Sequence, residues 1–234
     1  MVTGGRIKIG FEIVCKLLRD GFRVITTSRF VEETKSKFDA LHDSKDWISN
    51  LTIIAADFRI LESIGTFCKC VLEILKQEKR VKLDILIHNA AQTKHFPPSY
   101  YKDTVAMEFG AASSAAKSNS NDKLSVICTP NEKYAQQVAL WSMVPTCQSD
   151  LSDHSVFNEI THDGVPKDHR KKHTWNCRFE DVEFNEVKEA WMINVFAPWC
   201  ITKAFLAILS DSKQNGMSFL INVSAVEGQF YTSM

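Results

Sequence analysis

The chain has no surplus of charge: 28 lysines and arginines stand against 28 aspartates and glutamates over 234 residues. Without a net field, nothing general draws it to nucleic acid or to an anionic membrane surface. It has no uninterrupted apolar run of membrane-spanning length, and its N-terminus lacks the basic-then-apolar layout of a secretory signal. It also lacks the spacing of a disulfide framework. Cys15, Cys68, Cys70, Cys128, Cys147, Cys177 and Cys200 are odd in number and scattered, several of them in apolar periodic segments, which reads as buried reduced thiols in a cytoplasmic protein. The glycosylation triplets at Asn50 and Asn222 are then chance matches. His154, His162, His169, His173 and Cys177 form a loose run without the spacing of a metal site, so no metal is expected.

What is present is a 44% hydrophobic composition, enough for one substantial core, and a repeating alternation of helix and strand. Ile9, Ile13, Leu17 and Leu18 make a helical stripe closed by Asp20-Gly21, a glycine suited to a C-cap. A strand over 22–27 follows, then a polar helix over 32–41, a strand over 51–55, a helix over 61–79 and an apolar run over 83–88. After a break the rhythm resumes with a long helix over 183–209 and a last strand over 218–223. Strands separated by helices imply an α/β domain: a doubly wound parallel sheet with helices on both faces. The whole chain, 1–234, reads as one such domain. Residues 92–174 form a long insert without clean periodicity, expected to be unstructured over 110–122 and helical over 134–144, and placed over the active-site edge. The basic cluster at 167–173 reads as a solvated loop face.

The segment "TGGRIKIG" puts Gly4 in a tight turn and Gly10 where a helix must pack closely on a strand, its N-terminal amides facing a pyrophosphate. This resembles the short-chain dehydrogenase/reductase family, whose fingerprint is T-G-x-x-x-G-x-G: Thr3, Gly4 and Gly10 are in register, and Lys8 replaces the middle glycine. The resemblance implies a cofactor-binding turn made of Thr3, Gly4, Gly5, Lys8, Ile9 and Gly10. It continues at the end of the second strand, "VITTSR", where Ser28 and Arg29 stand in place of an acidic residue and imply NADP, with NAD the lesser choice. In "AADFR", Asp57 matches the aspartate that bonds the adenine, with Phe58 beside it. Asp57 also suits a cap for the following helix. His88-Asn89-Ala90-Ala91 resembles the motif N-N-A-G, which runs beside the cofactor. Asn194 and Ser224 match the family's catalytic asparagine, which holds a water in the proton relay, and its serine, which orients the substrate carbonyl.

One family residue pair has no counterpart: no Tyr-x-x-x-Lys follows Ser224, and Tyr231 stands too close to that serine. Only Met1-Val2-Thr3 stands where the family's first strand belongs, and its strands beyond the fifth are absent, so the chain reads as a fragment, truncated at both ends. The resemblance implies an NADP-dependent oxidoreductase moving hydride between nicotinamide and a small carbonyl or alcohol. The alternatives are a catalytically inactive nucleotide-binding or regulatory protein on the same fold, and an interaction module acting through the insert. No nucleic-acid or membrane partner is expected, and a homo-oligomer is compatible with the pattern.

Overall fold

A computed structural model of the protein describes residues 1–79, 82–115, 125–127, 157–173, 175–210 and 217–225. Helix α1 (Lys8–Arg19) ends at Gly21, whose φ of 82° places it in the left-handed region that favours glycine. Strand β1 (Val24–Ser28) follows, then α2 (Val31–Asp39), a single turn α3 (Ser44–Trp47), β2 (Leu51–Ala55), α4 (Leu61–Gln77) and β3 (Ile85–His88). Within the insert lie α5 (Lys102–Ala115) and β4 (Ser125–Ile127), neither expected from the sequence pattern. The long helix α6 (Phe184–Leu209) and β5 (Phe219–Asn222) complete the order. Helix α5 runs through 110–115, where an unstructured chain was expected; the alanines of that stretch are strong helix formers. The helix expected at 134–144 lies outside the described residues.

The strands β1 to β5 pair in parallel, and among the described residues an isolated bridge between Ile160 and Pro166 is antiparallel. β1 pairs with β2 in the register Val24↔Leu51 to Ser28↔Ala55, β2 pairs on its other side with β4, and β3 pairs with β5. The two groups are joined by Val2, which bridges Thr26 on one side and Ile87 on the other. Val2 donates its N–H to Ile25 (2.9 Å), and Ile87 donates to Met1 (2.9 Å). Three residues thus occupy the slot of a central strand. The Met1 amino group, bonded to the Ile85 carbonyl, is pushed down to about 5 by burial, with Asp84 opposing the shift.

Side chains alternate between two apolar clusters, as the period of a strand requires. Ile25, Ile54 and Leu86 join Phe67 and Val71 of α4 and Ile201 and Phe205 of α6. Val24, Ile53 and Ile87 join Val14 and Leu18 of α1 and Val31 and Phe38 of α2. Helix α6 needs a correction to the sequence reading. Asn194, Thr202 and Lys203 interrupt its apolar run, yet the folded element is a 26-residue helix long and apolar enough to cross a membrane by length and composition. It buries Ile193, Ala197, Ile201 and Phe205 in the core at helical spacing, and exposes Val187, Trp191, Val195, Trp199 and Leu206.

Candidate functional site: a cleft at the strand ends

The C-terminal ends of the strands surround a cleft of about 820 Å³. Its floor is the opening turn. Gly4 has φ 72°, and a Cβ there would lie 2.9 Å from the Cα of Ala90, so the turn passes directly beside the segment after β3. Thr3 Oγ1 accepts the N–H of both Asn89 (3.0 Å) and Ala90 (3.1 Å), and Asn89 Nδ2 donates to the carbonyls of Thr3 (3.1 Å) and Gly4 (2.9 Å). Gly4 N–H reaches Thr27 Oγ1 at 3.0 Å, tying the turn to β1 as well. Gly5 packs against Thr26 and Val14, where a Cβ would meet Thr26 Oγ1 at 2.2 Å. Lys8 replaces a glycine in identity but keeps a glycine-like backbone, with φ 53°. A side chain in that region costs roughly 1–2 kcal/mol. Ile9, 60% exposed, and Gly10 line the cleft beside it.

The other sequence-derived residues are brought to the same cleft except Asn194 and Ser224. Ser28, Arg29, Asp57, Phe58, Asn89, Ala90 and Ala91 all line it. Ser28 uses its hydroxyl locally, bonding the Phe30 carbonyl (2.9 Å) and N–H (3.0 Å) and accepting from Thr34 (2.7 Å). It therefore shapes the turn after β1. Arg29 lies against the rings of Phe30 and Tyr101, 5.6 and 5.1 Å from their centroids, and donates to Tyr101 Oη at 3.1 Å. Asp57 is buried, and both of its carboxylate oxygens are engaged by Arg59, the shortest contact being 2.7 Å. Its oxygen also accepts the Arg59 N–H two residues on, a local turn; the following helix α4 has Ile60 at its N-cap and no side-chain cap, so Asp57 does not cap it as its position suggested. Phe58 packs on Phe67 below.

Asn194 faces the segment after β3 rather than the solvent-filled cleft. Its side-chain amide makes a reciprocal pair with Gln92, accepting the N–H and donating to the carbonyl, each at 2.8 Å. The helix is π-helical at Met192–Phe196, and Pro198 withholds the N–H that would otherwise reach the Asn194 carbonyl four residues back. Ser224 follows β5 and is exposed; its neighbour Val223 lines the cleft and donates to the His88 carbonyl at 2.8 Å. Ser224 itself is not among the residues lining the cleft.

Sequence reasoning placed the insert over the active-site edge but assigned none of its residues to the walls. Lys94, Tyr100, Tyr101, Lys167 and Asp168 of the insert line the cleft, as does Trp175 just beyond it. The cluster at 167–173 is only partly a solvated face. Asp168 and Arg170 form a pair at 2.7 Å with side chains 8% and 6% exposed, and the Arg170 guanidinium lies against Phe96 and Phe157. A run of mostly basic letters hid a buried pair. Among the described residues no group of three or more His, Cys, Asp or Glu is placed to hold a metal, and the expectation of no metal rests on spacing alone.

His88 gives the site a pH signature. Its Nε2 lies 2.9 Å from Thr202 Oγ1, its Nδ1 is buried without a hydrogen bond among the described residues, and burial pushes its pKa from 6.5 down to about 4. The fold holds the neutral ring, while the unfolded chain takes up a proton first. The stability this represents is intact above 6.5 and falls away as pH drops towards 4, by roughly 3 kcal/mol in all. Thermal unfolding between pH 7 and 4 should show that loss, and His88→Asn should remove this portion of the slope. An unchanged slope in the variant would assign the acid sensitivity elsewhere.

The parallel α/β fold is shared with solved dehydrogenase and reductase structures. Two solved structures share it: a short-chain dehydrogenase from Streptomyces avermitilis, TM-score 0.51 at 16% identity, matched over 98% of this chain and 50% of that one, and salutaridine reductase from Papaver somniferum, TM-score 0.50 at 20% identity, matched over 97% of this chain and 57% of that one. An uncharacterized protein of Acanthamoeba polyphaga mimivirus is 36% identical over 115 residues, 49% of this chain and 24% of its own length. The chain thus spans about a quarter of that viral relative and 50% and 57% of the two solved structures. No protein-family model matches it.

Proposed function

We propose that the cleft binds a nicotinamide dinucleotide, NADP in preference to NAD, on a doubly wound sheet, and that the whole protein is an oxidoreductase acting on a small carbonyl or alcohol. The observation that carries this reading is the turn 3–10, locked by Thr3, Asn89 and Thr27 at the carboxyl ends of parallel strands, where ligands of open α/β sheets bind. The turn's backbone and the start of α1 would hold the pyrophosphate, Arg29 the 2′-phosphate, Asp57 and Phe58 the adenine end, and Asn89, Ala90 and Ala91 the passage towards the nicotinamide. When bound, that ring supplies or accepts the hydride. Asn194, by fixing Gln92, holds the wall next to it, and Ser224 is the residue assigned to the substrate oxygen. The same reading places the protein in the cytoplasm with small-molecule partners.

Arg29→Ala should raise the dissociation constant for NADPH about tenfold, the worth of one charge-assisted contact, and leave NADH nearly unchanged. Fluorescence titration of both nucleotides tests this; equal losses would sink the assignment of Arg29 to the phosphate. A second reading, a nucleotide-binding protein without turnover, is favoured by one feature: no Tyr-x-x-x-Lys occurs anywhere in the 234 residues. Without a tyrosine whose pKa a neighbouring lysine lowers, proton transfer to a carbonyl lacks its donor. The chain as written should bind NADPH and show no carbonyl reduction above background in an absorbance assay. Measurable turnover abolished by Tyr231→Phe would overturn that expectation.

A further inference from the structure

The insert clasps the end of β1 at two points. Tyr101, 72 residues away in sequence, accepts a hydrogen bond from Arg29 through its hydroxyl and lies against the guanidinium with its ring, while that ring also packs on Phe30 at 5.4 Å. Two turns further along, Glu108 of α5 accepts the backbone N–H groups of Val31 (3.1 Å), Glu32 (2.8 Å) and Glu33 (3.1 Å), the otherwise unpaired donors at the start of α2. Arg29 and Tyr101 both line the cleft. The neighbouring cation, Arg6, has a different fate: Glu33 grips it through both carboxylate oxygens, at 2.8 and 3.1 Å, and Lys37 reaches the same carboxylate.

We propose that the insert segment 98–108 is the specificity element of the nucleotide site: Tyr101 and Glu108 are positioning residues that set the pose of Arg29 for a 2′-phosphate. This rests on the assignment of the cleft to a dinucleotide. A phenol suits the task because it is neutral. Its hydroxyl accepts one guanidinium N–H and its ring covers the group without bringing a negative charge of its own, as the carboxylate beside Arg6 does. Contact with the rings of both Phe30 and Tyr101 restricts the side chain further, so less rotamer freedom is lost when an anion arrives. Glu108 acts one step back, holding α5 against α2 so that Tyr101 stays over Arg29.

The test measures the contribution of the 2′-phosphate alone. Adenosine 2′,5′-bisphosphate and 5′-AMP are titrated calorimetrically against the 234-residue chain and the variants Arg29→Ala, Tyr101→Phe, Tyr101→Ala and Glu108→Ala. The unmodified chain should prefer the bisphosphate by about tenfold, and Arg29→Ala should abolish the preference. Tyr101→Ala and Glu108→Ala should bring it below about threefold with 5′-AMP affinity unchanged, and Tyr101→Phe, which keeps the stacked ring, should fall between. Weakening of both ligands in proportion would show that these residues only maintain the fold and would overturn the proposal. So would a full preference in both alanine variants while Arg29→Ala loses it. Failure of the unmodified chain to bind either nucleotide would overturn the dinucleotide assignment, and this inference with it.

Discussion

Gly10→Ala should cost on the order of 2–4 kcal/mol of stability and abolish nucleotide binding. A Cβ at residue 10 would stand 2.1 Å from the Gly4 carbonyl oxygen and 2.3 Å from Asn89 Nδ2. Those two atoms are bonded to each other at 2.9 Å, and neither can retreat cheaply. The Gly4 oxygen belongs to a backbone pinned by its own N–H to Thr27, and Asn89 is held by its other contact to Thr3. Overpacking of this kind costs about 1–3 kcal/mol, and breaking the amide contact adds about 1 more. The proper comparison is Gly65→Ala in α4, where a Cβ meets nothing within 4 Å. There the same substitution should stabilise by about 0.5–1 kcal/mol, because glycine weakens a helix interior. Urea unfolding of the two variants, with NADPH titration, separates a site effect from a general intolerance of alanine. A Gly10→Ala protein as stable as the parent would mean that the turn is not the tight contact described.

This contrast also shows which parts of the molecule were legible in the sequence. Buried parallel strands write themselves as short apolar runs, and β2 matches its expected span, 51–55, residue for residue. The turn was legible because it needs glycine at Gly4 and Gly10 for steric reasons that leave letters behind. Lys8 shows the limit of reading letters: the glycine is gone, but the left-handed backbone persists at φ 53°. Ser28 and Asp57 line the cleft, yet the partners of their side chains, Thr34 and Arg59, could not be read from a motif. The insert was opaque for a different reason. Its contacts are long-range and made by single residues: Tyr101 on Arg29, Glu108 on α2, Arg170 on Phe96 and Phe157. None of these imposes a period on the chain, so none produces the repeating pattern from which the helices and strands were read.

The second large effect is expected at Glu189, a residue no motif pointed to. Its carboxylate, 13% exposed, sits on α6 and meets three partners from two other segments: His95 Nδ1 at 2.7 Å, Gln92 Nε2, and Arg59 at 3.4 Å. Burial pushes its pKa up, but the His95 hydrogen bond, the Arg59 and His95 charges and the Gln92 amide outweigh it and bring the group down to about 2, from 4.5. Since the unfolded chain binds the proton first, this stability is complete above 4.5 and is lost as pH falls towards 2. It amounts to roughly 3 kcal/mol. Glu189→Ala should destabilise the protein by about that much at pH 7, because Arg59 and His95 lose a shared anion in a buried place. Glu189→Gln should cost less, since the amide can still meet one partner. Because Gln92 is also the residue that Asn194 holds by both amide groups, the alanine variant should loosen the 92–95 wall and weaken NADPH binding as well. Hydrogen exchange at residues 92–95, together with urea midpoints at pH 5 and pH 3, inside the window where the Glu189 contribution is lost, tests the idea. Equal exchange rates in parent and Glu189→Ala would mean that the carboxylate does not fasten this wall of the cleft to α6.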